Sequence, residues 1–114
     1  MDEIIKLQLF FQTLSDSNRL RIIKFIGEKE CSVTEIVEST GLSQPLVSHH
    51  LRTLRESRIL ETNRVGPFVY YRLKDKKLLS ALGIFSEIVN KLDDIAMNDS
   101  MFCSPSWWRM HWNK

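Results

Sequence analysis

Apolar residues near the start of the chain fall at Ile4, Leu7, Phe11 and Leu14, a 3-4-3 spacing that predicts a helix over residues 2–14. Ile5, Leu9 and Phe10 widen its stripe, and a helix apolar on several sides needs cover from more than one neighbour. "SDSN" then interrupts the pattern. Asp16 or Ser17 is placed to cap a second helix, "RLRIIKFIG", which Gly27 closes. In "CSVTEIVESTG", Ser32 and Glu35 match a capping box, Val33, Ile36 and Val37 form an inner face, and Gly41 ends the helix.

A short link at Leu42 leads to a fourth helix over residues 43–57. Ser43 is its cap, and Pro45 is tolerated in the first turn, where a missing N–H costs nothing. Leu46, Val47, Leu51 and Leu54 are its expected buried stripe. Two runs rich in β-branched and aromatic residues, 59–64 and 68–73, flank "VGP" and predict a two-stranded hairpin. A lone hairpin is marginal in water, so it must pack on the helices before it.

Residues 75–97 form the longest predicted helix. Leu78, Leu82, Phe85, Val89, Leu92 and Ala96 repeat at 4-3-4-3-4, a heptad-like seam. The helices at 2–14 and 75–97 together carry more apolar surface than one small core needs. Ile4, Leu7, Phe11, Leu82, Phe85, Val89 and Leu92 are therefore candidates for a homodimer interface, which would set two basic segments on one face. The organisation expected is one domain over 1–97, followed by a tail at 98–114 that holds Trp107, Trp108 and Trp112.

Composition narrows the function classes. The chain has 114 residues, 43% hydrophobic and 26% charged, which fits one globular domain. There is no apolar run of membrane-spanning length and no signal-peptide pattern, so a cytoplasmic protein is expected. The net charge of +2 hides an asymmetry. Residues 43–76 hold seven bases (Arg52, Arg55, Arg58, Arg64, Arg72, Lys74, Lys76) against three acids (Glu56, Glu61, Asp75), and such a patch suits a polyanion. Ser43, Ser48 and the histidines make no spaced nucleophile–base–orienter set, and no Gly-rich phosphate loop appears, so no enzyme is expected.

Helix, short turn, helix and basic hairpin are the parts of a winged helix-turn-helix. "SDSNRLRIIKFI", "CSVTEIVESTGLSQPLVSHHLRTLRESRIL" and "RVGPFVYYRL" resemble the ArsR/SmtB family of repressors over roughly residues 5 to 97. The resemblance implies a mainly α fold with a two-stranded β-hairpin wing and a helical dimer interface. It also implies a homodimer that binds double-stranded operator DNA with an affinity that changes when an effector binds, and it places the residues matching Gln44, Ser48 and His49 against DNA.

The residue chemistry agrees on DNA. The second helix of such a motif enters the major groove by its N-terminal end. Gln44, Pro45, Ser48, His49 and Arg52 lie off the expected buried stripe. Gln44 suits adenine's N6/N7 edge, while Arg52 and Arg55 suit phosphates. Arg64 on the wing suits a phosphate or the minor groove, and Thr34 and Ser32 could meet phosphate at a helix start. Adjacent residues on a helix point about 100° apart. His49 and His50 therefore separate: His49 is expected to face DNA, and His50 to pack or hydrogen-bond inside.

The effector is another matter. The family's C-x-C sensor register reads "ECSVTEI" here, with Ser32 and Thr34 at the cysteine positions and Cys31 one residue early. The family's Asp/His site on the last helix finds no histidine in "DKKLLSALGIFSEIVNKLDD". No standard metal site is intact. Cys31, Cys103 and His111 remain for a thiol-bound soft metal or metalloid. The two thiols could instead form a redox pair, or be plain packing residues. The alternatives to an effector-released repressor are an effector-independent regulator and a protein-interaction module on the same fold.

Overall fold

The computed structural model describes residues 2–98, and the described chain divides into two units, one up to Leu79 and one from Ser80 onward. The first unit opens with α1 (Glu3–Leu14) and α2 (Ser17–Ile26). They are followed by β1 (Cys31–Ser32), α3 (Val33–Thr40), α4 (Gln44–Glu56), β2 (Leu60–Val65) and β3 (Phe68–Leu73). Helix α5 (Lys77–Asn98) begins at its end and makes up the described part of the second.

Capping decides most of the boundaries. Asp16, rather than Ser17, caps α2, accepting from the N–H of Asn18 at 2.8 Å and of Arg19 at 3.1 Å. The capping box of α3 is complete: the Ser32 hydroxyl takes the Glu35 N–H, and the Glu35 carboxylate takes the Ser32 N–H. Gly41, at φ 71°, supplies the left-handed residue that turns the chain toward α4. Ser43 caps α4 as expected, with Pro45 in the first turn.

Helix α4 ends in a Schellman motif. The Ile59 N–H donates to Leu54 O and the Arg58 N–H to Arg55 O, both at 3.0 Å. The left-handed position falls on Arg58, at φ 62°, where glycine is the usual occupant.

The core lies among α2, α3, α4 and the sheet. Ile22, Ile23, Ile26, Ile36, Val47, Leu51 and Leu54 are completely buried, and Leu60 and Cys31 nearly so. Each such aliphatic side chain contributes about 1.5–3 kcal/mol relative to exposure.

The structure departs from the expected pattern on α4, in the sheet and at the start of α5. The buried stripe of α4 is Val47, His50, Leu51 and Leu54. That is the i, i+3, i+4, i+7 row, and Leu46 lies one position off it, 37% exposed. His50 holds the inner place that the apolar count assigned to Leu46.

The hairpin, with β2 one residue later than expected, is joined by a third strand. The order is β1-β3-β2, with Cys31 opposite Tyr71 and Ser32 opposite Tyr70. A two-residue strand leaves no periodicity to read.

Helix α1 buries little of its apolar surface among the described residues. Leu14 is its one buried residue, and Ile4, Ile5, Leu7, Leu9 and Phe11 stay exposed. Helix α5 starts at Lys77, whose N–H bonds the Asp75 carboxylate at 2.9 Å. On α5, Leu78, Leu82 and Val89 are half-buried, while Ile84, Phe85, Ile88 and Leu92 are exposed.

The wing has a stiff tip. Val65 pairs with Phe68, leaving Gly66-Pro67 as the loop. Gly66 takes φ 60°, and the ring of Pro67 holds its φ near −65°, the sign pattern of a type II′ turn. Among the described residues, no helix is long and apolar enough to cross a membrane.

Candidate nucleic-acid interface

Burying Val47, His50, Leu51 and Leu54 turns the opposite side of α4 outward. Gln44, Pro45, Ser48, His49, Arg52 and Arg55 are all exposed. Positions 44, 48, 52 and 55 run along one side at helical spacing, with Pro45 and His49 on its flank. None of the side chains of Gln44, Ser48, His49, Arg52 and Arg55 makes a hydrogen bond or ion pair with another described residue. Donors and acceptors on a fixed helix, unspent among the described residues, are what a base-reading surface requires.

Arg64 is exposed on β2, next to the wing tip. Thr34 is exposed in the first turn of α3. Ser32 is not available for a phosphate: its hydroxyl and N–H are spent in the capping box, and the Glu35 carboxylate sits at that helix start. Arg72 also leaves the basic count. It bonds Glu61 at 2.8 Å and Glu30 at 2.9 Å, and these carboxylates raise its pKa further, so its charge is neutralised on the sheet.

His50 is held from behind. Its Nδ1 lies 3.5 Å from Arg19 Nη1, and Arg19 Nε donates to the Thr13 carbonyl at 2.6 Å. The guanidinium thus bridges the end of α1 to the inner side of α4. With Arg19 donating, His50 Nδ1 is the acceptor and Nε2 carries the proton. Nε2 is buried with no partner among the described residues. Burial lowers the His50 pKa, helped by the charges of Arg19 and His49 and opposed by Asp16.

Partial burial works to raise the Asp16 pKa. It is outweighed by hydrogen bonds from the Arg19 and Asn18 N–H groups and by the electrostatic pull of the His50 ring and of Arg19, so the carboxyl sits below its usual value. No spacing rule pointed to Arg19. Its position three residues after the cap was the only available sign.

Cys31 lies inside, 1% exposed, in the strand beside Tyr71. Burial raises its pKa, the nearby Glu35 charge adds to this, and Lys29 opposes it. The thiol is therefore kept neutral, which suits packing more than metal ligation or attack. Cys103, His111 and the tryptophan tail lie outside the described residues. Among the described residues, no group of three His, Cys, Asp or Glu could hold a metal ion.

Comparison with known proteins agrees with this geometry. Residues 16–62, from the cap of α2 into β2, match the family described as "Bacterial regulatory protein, arsR family". The chain is 31% identical over 94 residues to the "Transcriptional repressor SmtB homolog" of Synechocystis, covering 82% of this chain and 69% of that protein. It is 43% identical over 74 residues to the "Arsenic resistance transcriptional regulator ArsR1" of Pseudomonas putida, covering 64% of this chain and 58% of that one. The crystal structure of the transcriptional repressor BigR from Xylella fastidiosa superposes with a TM-score of 0.65 at 34% identity, over 72% of this chain and 84% of that one. With its winged helix-turn-helix and this match across most of its length, the chain belongs to the ArsR/SmtB family of transcriptional regulators.

Proposed function

We propose that this protein is a DNA-binding repressor that acts as a homodimer on an inverted-repeat operator. The observation that carries the reading is the exposed row on α4: Gln44, Ser48, His49, Arg52 and Arg55 are unspent within the described chain and stand opposite a fully buried stripe. Gln44 and His49 read bases from the N-terminal half of α4. Arg52, Arg55 and Thr34 hold phosphates, and Arg64 reaches DNA from the wing. The exposed apolar rows of α1 (Ile4, Leu7) and α5 (Ile84, Ile88, Leu92) support pairing with a second copy, with Phe11, Leu82, Phe85 and Val89 on the same helices. Residues 1–97 form the DNA-binding and dimerising part, and 98–114 the tail.

The name of the Pseudomonas relative makes a thiophilic metal or metalloid the effector class to test. Cys103 and His111 are its candidate ligands, because the buried thiol of Cys31 is committed to the core. Any effector must bind the DNA-free form more tightly than the DNA-bound form, since equal affinity shifts nothing. The test is fluorescence anisotropy on a duplex recovered from a randomised library, with and without As(III) or Cd(II). Sedimentation of the free protein is run beside it. Tight, salt-dependent binding of two chains per duplex supports the reading. A flat titration at low salt makes the chain a protein-interaction module instead. Binding that neither metal changes makes it a regulator without that class of effector.

A further inference from the structure

The wing tip carries a feature that a phosphate-holding loop does not need. Val65 is 54% exposed and Phe68 is 59% exposed. The two are the last cross-strand pair before the turn, so their side chains share one face of the hairpin. Pro67, also exposed, joins them at the end of the loop, and Gly66 adds no side chain. The Phe68 ring lies 6.5 Å from that of Tyr70, two residues along the same face. From Thr62 to Tyr71 the one charged residue is Arg64. The nearest carboxylate in sequence, Glu61, is spent on Arg72.

The last cross-strand pair of the hairpin is thus apolar; Arg64 stands one residue back on the opposite face, and the carboxylates further down the apolar face, Glu61 and Glu30, are both held by Arg72, Glu30 also taking a bond from Asn63. The tip is also stiff, because Pro67 and the II′ turn leave the loop little freedom to lose on binding. Single exposed apolar side chains are ordinary on protein surfaces. Three at one hairpin tip, with an arginine one residue back on the other face and the α4 row on the same compact unit, have a more specific match. Proteins that enter the DNA minor groove pair an Arg with apolar wedges of this type, which part a base step and bend the duplex.

We infer that the wing tip is a minor-groove wedge, in which Phe68 and Val65 press on a base step while Arg64 lies along the groove. The inference rests on the DNA-binding reading above and adds a means of sequence selection to it. Pyrimidine–purine steps unstack most easily, so a TA or CA/TG step is favoured under the tip without any hydrogen bond to its bases.

The experiment uses the full chain and a duplex recovered from a randomised library, with anisotropy measured across a salt series and end-to-end energy transfer reporting the bend. An apolar wedge releases no counterions. Phe68→Ser is therefore expected to weaken binding about tenfold at every salt, with the log–log slope unchanged and the bend reduced. Arg64→Ala is expected to lower the slope by about 0.9, the share of one phosphate. Replacing the TA or CA/TG step with GC is expected to weaken wild type and leave Phe68→Ser almost unaffected.

If Phe68→Ser and Val65→Ser bind and bend DNA as wild type does, while Arg52→Ala binds poorly, the wedge is wrong and the α4 reading stands. If Arg52→Ala and Gln44→Ala also bind normally, the DNA-binding reading itself has failed. A Phe68→Ser protein with altered self-association and unaltered DNA binding would make the tip a protein contact, which also overturns the wedge.

Discussion

Arg19 Nη1 approaches His50 Nδ1 at 3.5 Å, so the imidazole beneath the exposed row of α4 is held as a neutral acceptor by a fixed cation. The same guanidinium is anchored on the Thr13 carbonyl. The two histidines that stand side by side in sequence therefore do opposite jobs: His49 is exposed, and His50 is 4% exposed inside the core.

That burial has a consequence for pH. The His50 pKa is lowered from its ordinary 6.5, chiefly by burial. Between the folded value and 6.5 the unfolded chain binds a proton that the folded chain does not, so stability rises with pH. The full contribution is present above about 6.5 and is lost as pH falls below it, until the folded value is reached. The slope is at most about 1.4 kcal/mol per pH unit for one proton. Urea midpoints measured from pH 7.5 to pH 5 should fall more steeply for wild type than for His50→Leu. Parallel curves would show that His50 is not buried neutral.

At Arg58 the α4 Schellman motif carries a left-handed residue with a side chain. Arg58→Gly removes a strain of about 1–2 kcal/mol, partly offset by the greater freedom of glycine in the unfolded chain. A net gain of roughly 0.5–1 kcal/mol and a rise of a few degrees in Tm are expected. A loss of stability would mean that the Arg58 side chain supplies a compensating contact.

Cys31 is expected to resist alkylation. In native protein, iodoacetamide should leave the Cys31 peptide unmodified on a timescale that labels it fully in urea, because the thiol is both buried and held protonated. Cys31→Ser places a hydroxyl where the thiol was and should cost about 1–3 kcal/mol by denaturant titration. Rapid native labelling would restore Cys31 as a candidate effector ligand.

Much of this architecture could be read from local chemistry. The capping box at Ser32 and Glu35, the stop at Gly41 and the cap at Ser43 are short-range signals, and each sits where the helices start and end. The exposed α4 residues were legible for the same reason, since helical spacing separates an outer row from an inner one. Features that depend on tertiary partners were not. Helix geometry put His50 inside, but counting apolar residues put Leu46 there as well, and nothing local pointed to Arg19 as the partner of the histidine. The β1 strand exists because β3 pairs with it, and Arg72 lost its place in the basic patch to Glu30 and Glu61, one of them 42 residues away. The apolar wing tip was visible as letters but carried no meaning until both sides of the turn were seen exposed.

The central claim is that α4 presents a DNA-reading face, and anisotropy across a salt series on a library-selected duplex tests it most directly. Arg52→Ala should lower the slope of log K against log salt by about 0.9, with a loss of affinity on all sequences alike. Gln44→Ala should leave the slope unchanged and relax selectivity at one base pair, by about 1–3 kcal/mol. If both variants bind with wild-type affinity, slope and selectivity, the exposed row of α4 does not read DNA.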